Sequence, residues 1–258
     1  MIGNKCGALL VTACAGLSSY GAVPSAGLVG FWEADGSALD TSSTGNDGTF
    51  LGTYASGIRG MAFDLASAKV SVPNSPAYAF GSEFSIGFWF NNSNRGTGTA
   101  FVGQDIGGGE VAKWFIDYGY TGGHFEIHVN GPWRAFLPSS NTSSPADGWN
   151  HLALTVGAGA YQFYLNTVLI GSGEFSLPLP NPAVPLVFGY AEPGIQYDGL
   201  MDEIAIYNRT LSQLEVTQLA AGVPEPTTYA LMLIGGFALS VTAARRKHLP
   251  SKFPRSGA

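Results

Sequence analysis

Apolar and polar positions alternate through the middle of the chain. In Phe84-Ser85-Ile86-Gly87-Phe88-Trp89-Phe90, the residues Phe84, Ile86, Phe88 and Phe90 fall on one side, the period of two expected of a strand that buries one face. Phe125, Ile127 and Val129 repeat the pattern, leaving His124, Glu126 and His128 on the polar side. Runs of the same kind predict strands over 28–33, 49–51, 61–63, 69–72, 84–90, 100–104, 114–118, 124–129, 149–156, 161–165, 168–170, 186–189 and 199–207. Short strands punctuated by Gly, Asn, Asp, Ser and Pro predict an all-β antiparallel sandwich.

The period changes once inside this region. Ser212 followed by Glu215 forms a capping-box signature, and Gly222 supplies a stop, so a short helix is predicted at the end of the domain with Leu214, Leu219 and Val216 toward the sheet. Beyond it, Pro224 and Pro226 flank Glu225 after Val223, a break no helix crosses because each proline lacks an N–H and restricts its predecessor. Residues 229–244 then carry no charge, a stretch just under the roughly 17–25 residues that span a bilayer as a helix. Arg245, Arg246 and Lys247 follow as a basic stop, continued by a tail to residue 258; such a cluster fits the cytoplasmic side and places the bulk of the protein outside. At the other end, residues 1–26 combine Lys5, an apolar core over 8–17 and small residues, the form of a secretory signal peptide cut after Gly21, Ala22 or Ala26. Val11-Thr12-Ala13-Cys14 also fits a lipobox, which would make Cys14 a lipidated terminus. The domain itself is expected over 27–222, with the C-terminal segment over 223–258.

Composition agrees with an exported β protein. The chain has 258 residues, of which 45% are hydrophobic and 12% charged, with 36 Gly and 15 Pro; this argues against a helical bundle and against a disordered chain. The formal net charge of -6 conceals an asymmetry. Six of the twelve basic residues lie in the terminal segments, so the span from Glu33 to Glu215 sets six bases against seventeen acids, a net of −11. Such a domain repels nucleic acid and anionic lipid, and favours cations or neutral ligands. Both cysteines, Cys6 and Cys14, fall in the leader, leaving the mature domain without a disulfide.

Candidate chemistry is sparse. Adjacent Asp202 and Glu203 are expected on opposite faces of a strand, where they cannot share a substrate. His124 and His128 would be separated by about 13 Å of strand rise, too far for one ion, so His124, Glu126 and His128 are expected to form a polar outer face. There is no Gly-x-Ser-x-Gly turn and no phosphate loop with Lys, which removes those nucleophile and nucleotide chemistries. Trp114, Trp133 and Tyr118 are candidate glycan contacts, with Gly131-Pro132-Trp133 forming a turn and the glycine-rich loop 105–110 beside it; Trp133 equally suits a loop residue packed on the sandwich edge.

Two resemblances extend this reading. The segment from Val223-Pro224-Glu225-Pro226, through Thr228, Leu231 and Gly235, to the basic stop resembles the PEP-CTERM sorting signal of Gram-negative bacteria. That resemblance implies recognition and cutting by an exosortase, although the residues after Lys247 are more numerous than is usual. The domain resembles the laminin G-like, concanavalin A-like jelly rolls, in Gly27–Trp32, the Asp40 to Thr49 loop, Gly60-Met61-Ala62-Phe63-Asp64, Phe84–Trp89, Trp149-Asn150-His151-Leu152, and Gly199 to Ser212. It implies a two-sheet jelly roll that binds glycans or proteins, a structural role for His151, and calcium at a loop rim. The calcium ligands would be Asp40, Asn46, Asp47 and Asp202, oxygen donors of the kind calcium takes; the other reading is that Asn46-Asp47-Gly48 is a turn and Asp202-Glu203 a strand end. Related hydrolases carry a Glu-x-Asp-x-x-Glu strand, which does not occur here. The expectation is therefore a non-catalytic module at the cell surface or in an extracellular, biofilm-type matrix, binding polysaccharide or a surface protein. The alternatives are a structural matrix component and a divergent glycan-active enzyme.

Overall fold

The computed structural model describes residues 23–91, 99–105, 112–119, 123–130, 135–140, 145–175 and 178–222. The segment expected to be a signal peptide, up to residue 22, Cys14, most of the 105–110 loop, Trp133, the Pro-Glu-Pro motif, the apolar run 229–244 and the basic cluster 245–247 lie outside the described residues. Among the described residues, no helix is long and apolar enough to cross a membrane.

In chain order the strands are β1 (Leu28–Trp32), β2 (Thr49–Phe50), β3 (Thr53–Ser56), β4 (Met61–Asp64), β5 (Val70–Val72), β6 (Phe84–Asn91), β7 (Thr99–Gln104), β8 (Lys113–Tyr118) and β9 (Phe125–Asn130). They continue as β10 (Ala135–Pro138), β11 (Trp149–Gly157), β12 (Ala160–Leu165), β13 (Val168–Glu174), β14 (Leu186–Phe188), β15 (Tyr190–Glu192), β16 (Ile195–Gln196) and β17 (Leu200–Tyr207), and helix α1 (Gln213–Ala221) follows. One sheet runs β13-β12-β11-β6-β17-β4-β3, with β1 also on β17; the other runs β10-β9-β8-β7-β14-β5-β2; β15 and β16 form a separate hairpin. All pairings are antiparallel.

The predicted alternation builds the core. Phe84, Ile86, Phe88 and Phe90 from one sheet meet Phe101, Trp114, Phe125 and Ile127 from the other, all buried in a single cluster. Its rings meet edge-on or tilted, with Phe90 and Phe101 centroids 5.0 Å apart, a geometry that aligns ring edges with ring faces. Two tight turns hold hairpins in register. Ala158 and Gly159 join β11 to β12, and Asn166 and Thr167 join β12 to β13, all four at positive φ, as the twist of two-residue hairpins requires.

The helix forms where the capping signature places it. Ser212 Oγ accepts from Glu215 N–H while the Glu215 carboxylate accepts from Ser212 N–H, and Gly222 closes the last turn in the left-handed region. Val216, Leu219 and Ala220 face the outer side of the larger sheet, over Ala153, Ala205 and Tyr207. Leu214 is 64% exposed, a correction to the expected inward stripe: at 100° per residue it lies two positions off the Val216–Leu219–Ala220 row.

Strands β3, β10, β15 and β16 had no counterpart in the alternation pattern. They are two to four residues long, too short for a period of two to stand out from chance.

Candidate functional site

The outer face of the seven-stranded sheet carries an open cleft at its β5 side. It has a volume of about 480 Å³ and is lined by Ser67, Ala68, Lys69, Tyr190 and Gln196. A second cavity of about 250 Å³, lined by Thr49, Leu51 and Ser71, shares Ser67, Ala68 and Lys69 with the first. The walls come from two local structures. After β4 the chain turns, with Ala68 N–H donating to the Leu65 carbonyl at 3.1 Å, and Ser67 is held at φ 69, a conformation that costs a non-glycine residue energy and persists only where surroundings fix it. Opposite stands the β15–β16 hairpin, turned at Pro193-Gly194 with Gly194 at φ 86, in which Tyr190 and Gln196 are cross-strand partners. Lys69 Nζ sits 4.2 Å from the Tyr190 ring centroid, within range of cation–π attraction. Gln196 Nε2 donates to Asp198 Oδ1 at 3.3 Å. Leu51 is 94% exposed at the far end.

None of these residues stood out in the sequence as a site. Pro193-Gly194, between Tyr190 and Gln196, is a local turn signal from which a hairpin could have been read there; a lysine and a tyrosine far apart in the chain become neighbours through tertiary pairing alone.

Farther along the same sheet face the polar residues are covered. Glu126 and His128 lie on the side away from the core, as expected of a polar outer face, but both are buried there. His128 packs at 4.6 Å centroid distance on Phe115, its cross-strand partner. Lys113 Nζ lies 3.3 Å from Asp105 and 3.3 Å from Glu192, with both its own side chain and that of Asp105 almost wholly buried. This triad ties β8 to the β15–β16 hairpin and so supports the cleft's far wall.

Two of the three aromatic candidates have a described place. Trp114 is buried in the core, its indole N–H donating to Gln104 Oε1 at 3.1 Å; it faces inward with Ile116, so it offers no surface to a sugar, and the expectation is corrected. Tyr118 is half-buried against Phe125, 4.9 Å between centroids.

The acidic loop is a hydrogen-bond hub. Asp40 Oδ1 accepts from Phe31 N–H and Ser42 N–H, both at 2.9 Å, and Oδ2 accepts from Thr44 Oγ1 at 2.9 Å and Asn46 N–H at 2.8 Å. Burial opposes its charge, but hydrogen bonds from Ser42, Phe31 and Asn46 outweigh that and hold the carboxyl below its ordinary range. Asp47 Oδ1 accepts from Asp40 N–H at 3.0 Å, and Asn46 Nδ2 donates to the Val29 carbonyl at 2.9 Å. Asp202 is engaged elsewhere, accepting at Oδ2 from Ile58 N–H and Arg59 N–H at 2.9 and 3.2 Å. The four expected calcium ligands are thus divided between two structural roles, and among the described residues no three acidic or histidine side chains converge as a metal site.

A β-bulge overturns the expected placement of Asp202 and Glu203. Met201 and Ile204 both point into the core, so the two residues between them turn away together, with Glu203 at φ 51 and the register shifting at this point. Both then meet the 57–60 turn: Glu203 Oε2 lies 3.0 Å from Arg59 Nη1. Burial pushes each carboxyl up to about 7; Arg59 partly counters this at Glu203. Nearby, His151 is wholly buried, paired across strands with Trp89, and neither ring nitrogen has a hydrogen-bond partner among the described residues. Burial, then the Arg59 charge, lower its pKa to about 3. These groups lie beneath the end of α1 and serve packing, away from the cleft.

Residues 64–217 match the family Laminin_G_3, described as the concanavalin A-like lectin/glucanases superfamily. No curated protein matches the chain significantly. Among solved structures, the chain is similar to domain 4 of a GH43 extracellular arabinanase from Geobacillus stearothermophilus, in complex with arabinotriose, at 22% identity and TM-score 0.63, covering 75% of this chain and 98% of that one. The binding domain of Paraclostridial Mosquitocidal Protein 1 is similar at 17% identity and TM-score 0.56 over 75% of this chain, which spans 52% of that structure. A Trypanosoma rangeli sialidase follows at 18% identity and TM-score 0.55, over 77% of this chain and 33% of its own. At these identities the likeness is one of fold. The family match spans more than half of the sequence, and the two packed antiparallel sheets agree with it: the chain belongs to the concanavalin A-like lectin/glucanase superfamily, in its laminin G-like branch.

Proposed function

We propose that this is an exported, exosortase-sorted surface or matrix protein whose jelly-roll domain binds carbohydrate without cleaving it. The observation that carries the binding reading is the cleft: its described lining offers a hydroxyl, an amide, an ammonium and an aromatic ring, and no carboxylate. Glycoside hydrolysis in most families uses a pair of carboxylates flanking the scissile bond. The acids with raised pKa, Asp202 and Glu203, are buried and hydrogen-bonded to the Arg59 turn, where they hold a loop. Support for export and sorting comes from the sequence alone, in the order signal peptide, domain, Pro-Glu-Pro, apolar run and basic stop.

The test is to incubate the full chain with a panel of soluble and insoluble polysaccharides and to measure both retention and released oligosaccharide. Retention without product supports the reading; released reducing ends would make the protein a glycan-active enzyme, and retention on none would leave a structural matrix role. Intact mass of the protein from a Gram-negative host carrying an exosortase tests the sorting: a species ending near Pro226 is expected outside the membrane, whereas a retained tail means a simple anchor.

A further inference from the structure

We infer that the Lys69–Tyr190 cleft selects acidic saccharides, with the Lys69 ammonium receiving a uronate carboxylate; this rests on the carbohydrate-binding reading and names its ligand class. Four lysines and arginines have described side chains: Arg59, Lys69, Lys113 and Arg209. Arg59, Lys113 and Arg209 are each ion-paired to a carboxylate. Lys69 alone among them has no carboxylate partner, in a span where acids outnumber bases seventeen to six.

Lys69 is also held in place. The Tyr190 ring lies beneath its Nζ at 4.2 Å, which limits the rotamer freedom of a long side chain and so reduces the entropy lost when an anion binds. Tyr190 is in turn fixed by the hairpin, whose Glu192 is anchored to buried Lys113. The position of Lys69 on the wall common to both cavities matters most. A chain laid from the Gln196 end to the Leu51 end passes the ammonium midway. Ser67 and Gln196 offer hydrogen bonds to hydroxyls on one side, Thr49 and Ser71 do so on the other, and exposed Leu51 meets an apolar sugar face. The larger cavity falls within the roughly 300–1,000 Å³ of ligand pockets. One ammonium suits a short chain with one carboxylate at the contact; the surrounding negative field disfavours long, densely charged polymers.

The experiment titrates the full chain with acidic trisaccharides of glucuronate, galacturonate and mannuronate, each beside its methyl ester and a neutral trisaccharide. At least one acidic trisaccharide is expected to bind ten or more times more tightly than its ester. Lys69→Met should abolish that preference and Lys69→Arg largely keep it, and Tyr190→Leu should weaken it several-fold. Lys69 is exposed, so the Lys69 variants are expected to leave folding intact, and thermal melts check this for them and for half-buried Tyr190. Equal binding of acid and ester, or binding indifferent to Lys69→Met, overturns the inference while the carbohydrate reading stands. Binding of no saccharide, acidic or neutral, overturns both.

Discussion

Arg59 ties the β17 bulge to the end of α1: its Nη1 lies 3.0 Å from Glu203 Oε2, and its Nη2 donates to the Ala220 carbonyl at 2.9 Å. One guanidinium therefore neutralises a buried carboxylate and caps the C-terminal end of α1, where a cation is favoured by the helix dipole. Arg59→Met is expected to destabilise the domain by about 2–4 kcal/mol, since it strands Glu203 in a buried site. Arg59→Lys should recover part of the loss, lacking the second fork contact. Urea unfolding checks both, and a loss near zero for Arg59→Met would assign the bulge's stability to packing.

Stability should fall as pH rises from about 4.5 to 7 and level off above that. Asp202 and Glu203 titrate near 7 in the folded domain, against 3.8 and 4.5 for the free side chains, so between these values the folded chain holds protons that the unfolded chain has released. Their contribution is fully present below the unfolded pKa values and is lost as pH passes about 7. His151 acts in the opposite sense between about 3 and its unfolded value of 6.5 and offsets part of this decline. Glu203→Gln should flatten the decline, measured as the urea midpoint at half-unit pH steps. An unchanged slope would place the titration elsewhere.

His151 acts with the opposite sign. A base lowered from 6.5 to about 3 by burial loses stability as pH falls through that range, because the unfolded chain takes up the proton first. With both ring nitrogens lacking partners among the described residues, His151→Leu is expected to be neutral or to stabilise by about 1 kcal/mol at pH 7. The variant should also remove part of the loss between pH 6 and 4. A clear destabilisation at pH 7 would reveal a hydrogen bond to this ring through water.

Asp40→Ala should cost about 3 kcal/mol, since it leaves Phe31, Ser42 and Asn46 N–H groups and the Thr44 hydroxyl without their acceptor. Because each Asp40 oxygen already takes two donors, chelation with EDTA is expected to leave the thermal midpoint unmoved. A drop of several degrees on chelation would return calcium to this loop.

The core strands and the helix were legible because their signals are local. Phe84 to Phe90 alternate over a full strand, and Ser212 with Glu215 forms a cap that depends on nothing beyond three residues. Asp202 and Glu203 were misplaced because alternation assumes an unbroken ladder, and a bulge inserts a residue without any change of composition. Trp114 was misjudged for a related reason: an indole with a polar tip suits a surface as well as a core, and only the buried Gln104 acceptor decides between them.

By itself the sequence determined the class of the domain: an all-β sandwich with a capped helix in an acidic span free of cysteine. Periodicity, capping and charge are properties of neighbours along the chain, so they survive without coordinates. The tertiary structure decided which polar residues stay exposed. It covered Glu126 and His128, saturated Asp40, turned Asp202 and Glu203 to the same side, and brought Lys69 over Tyr190 from more than a hundred residues away. Those outcomes depend on sheet order and on one hairpin packing across a sheet face, and no local pattern encodes either.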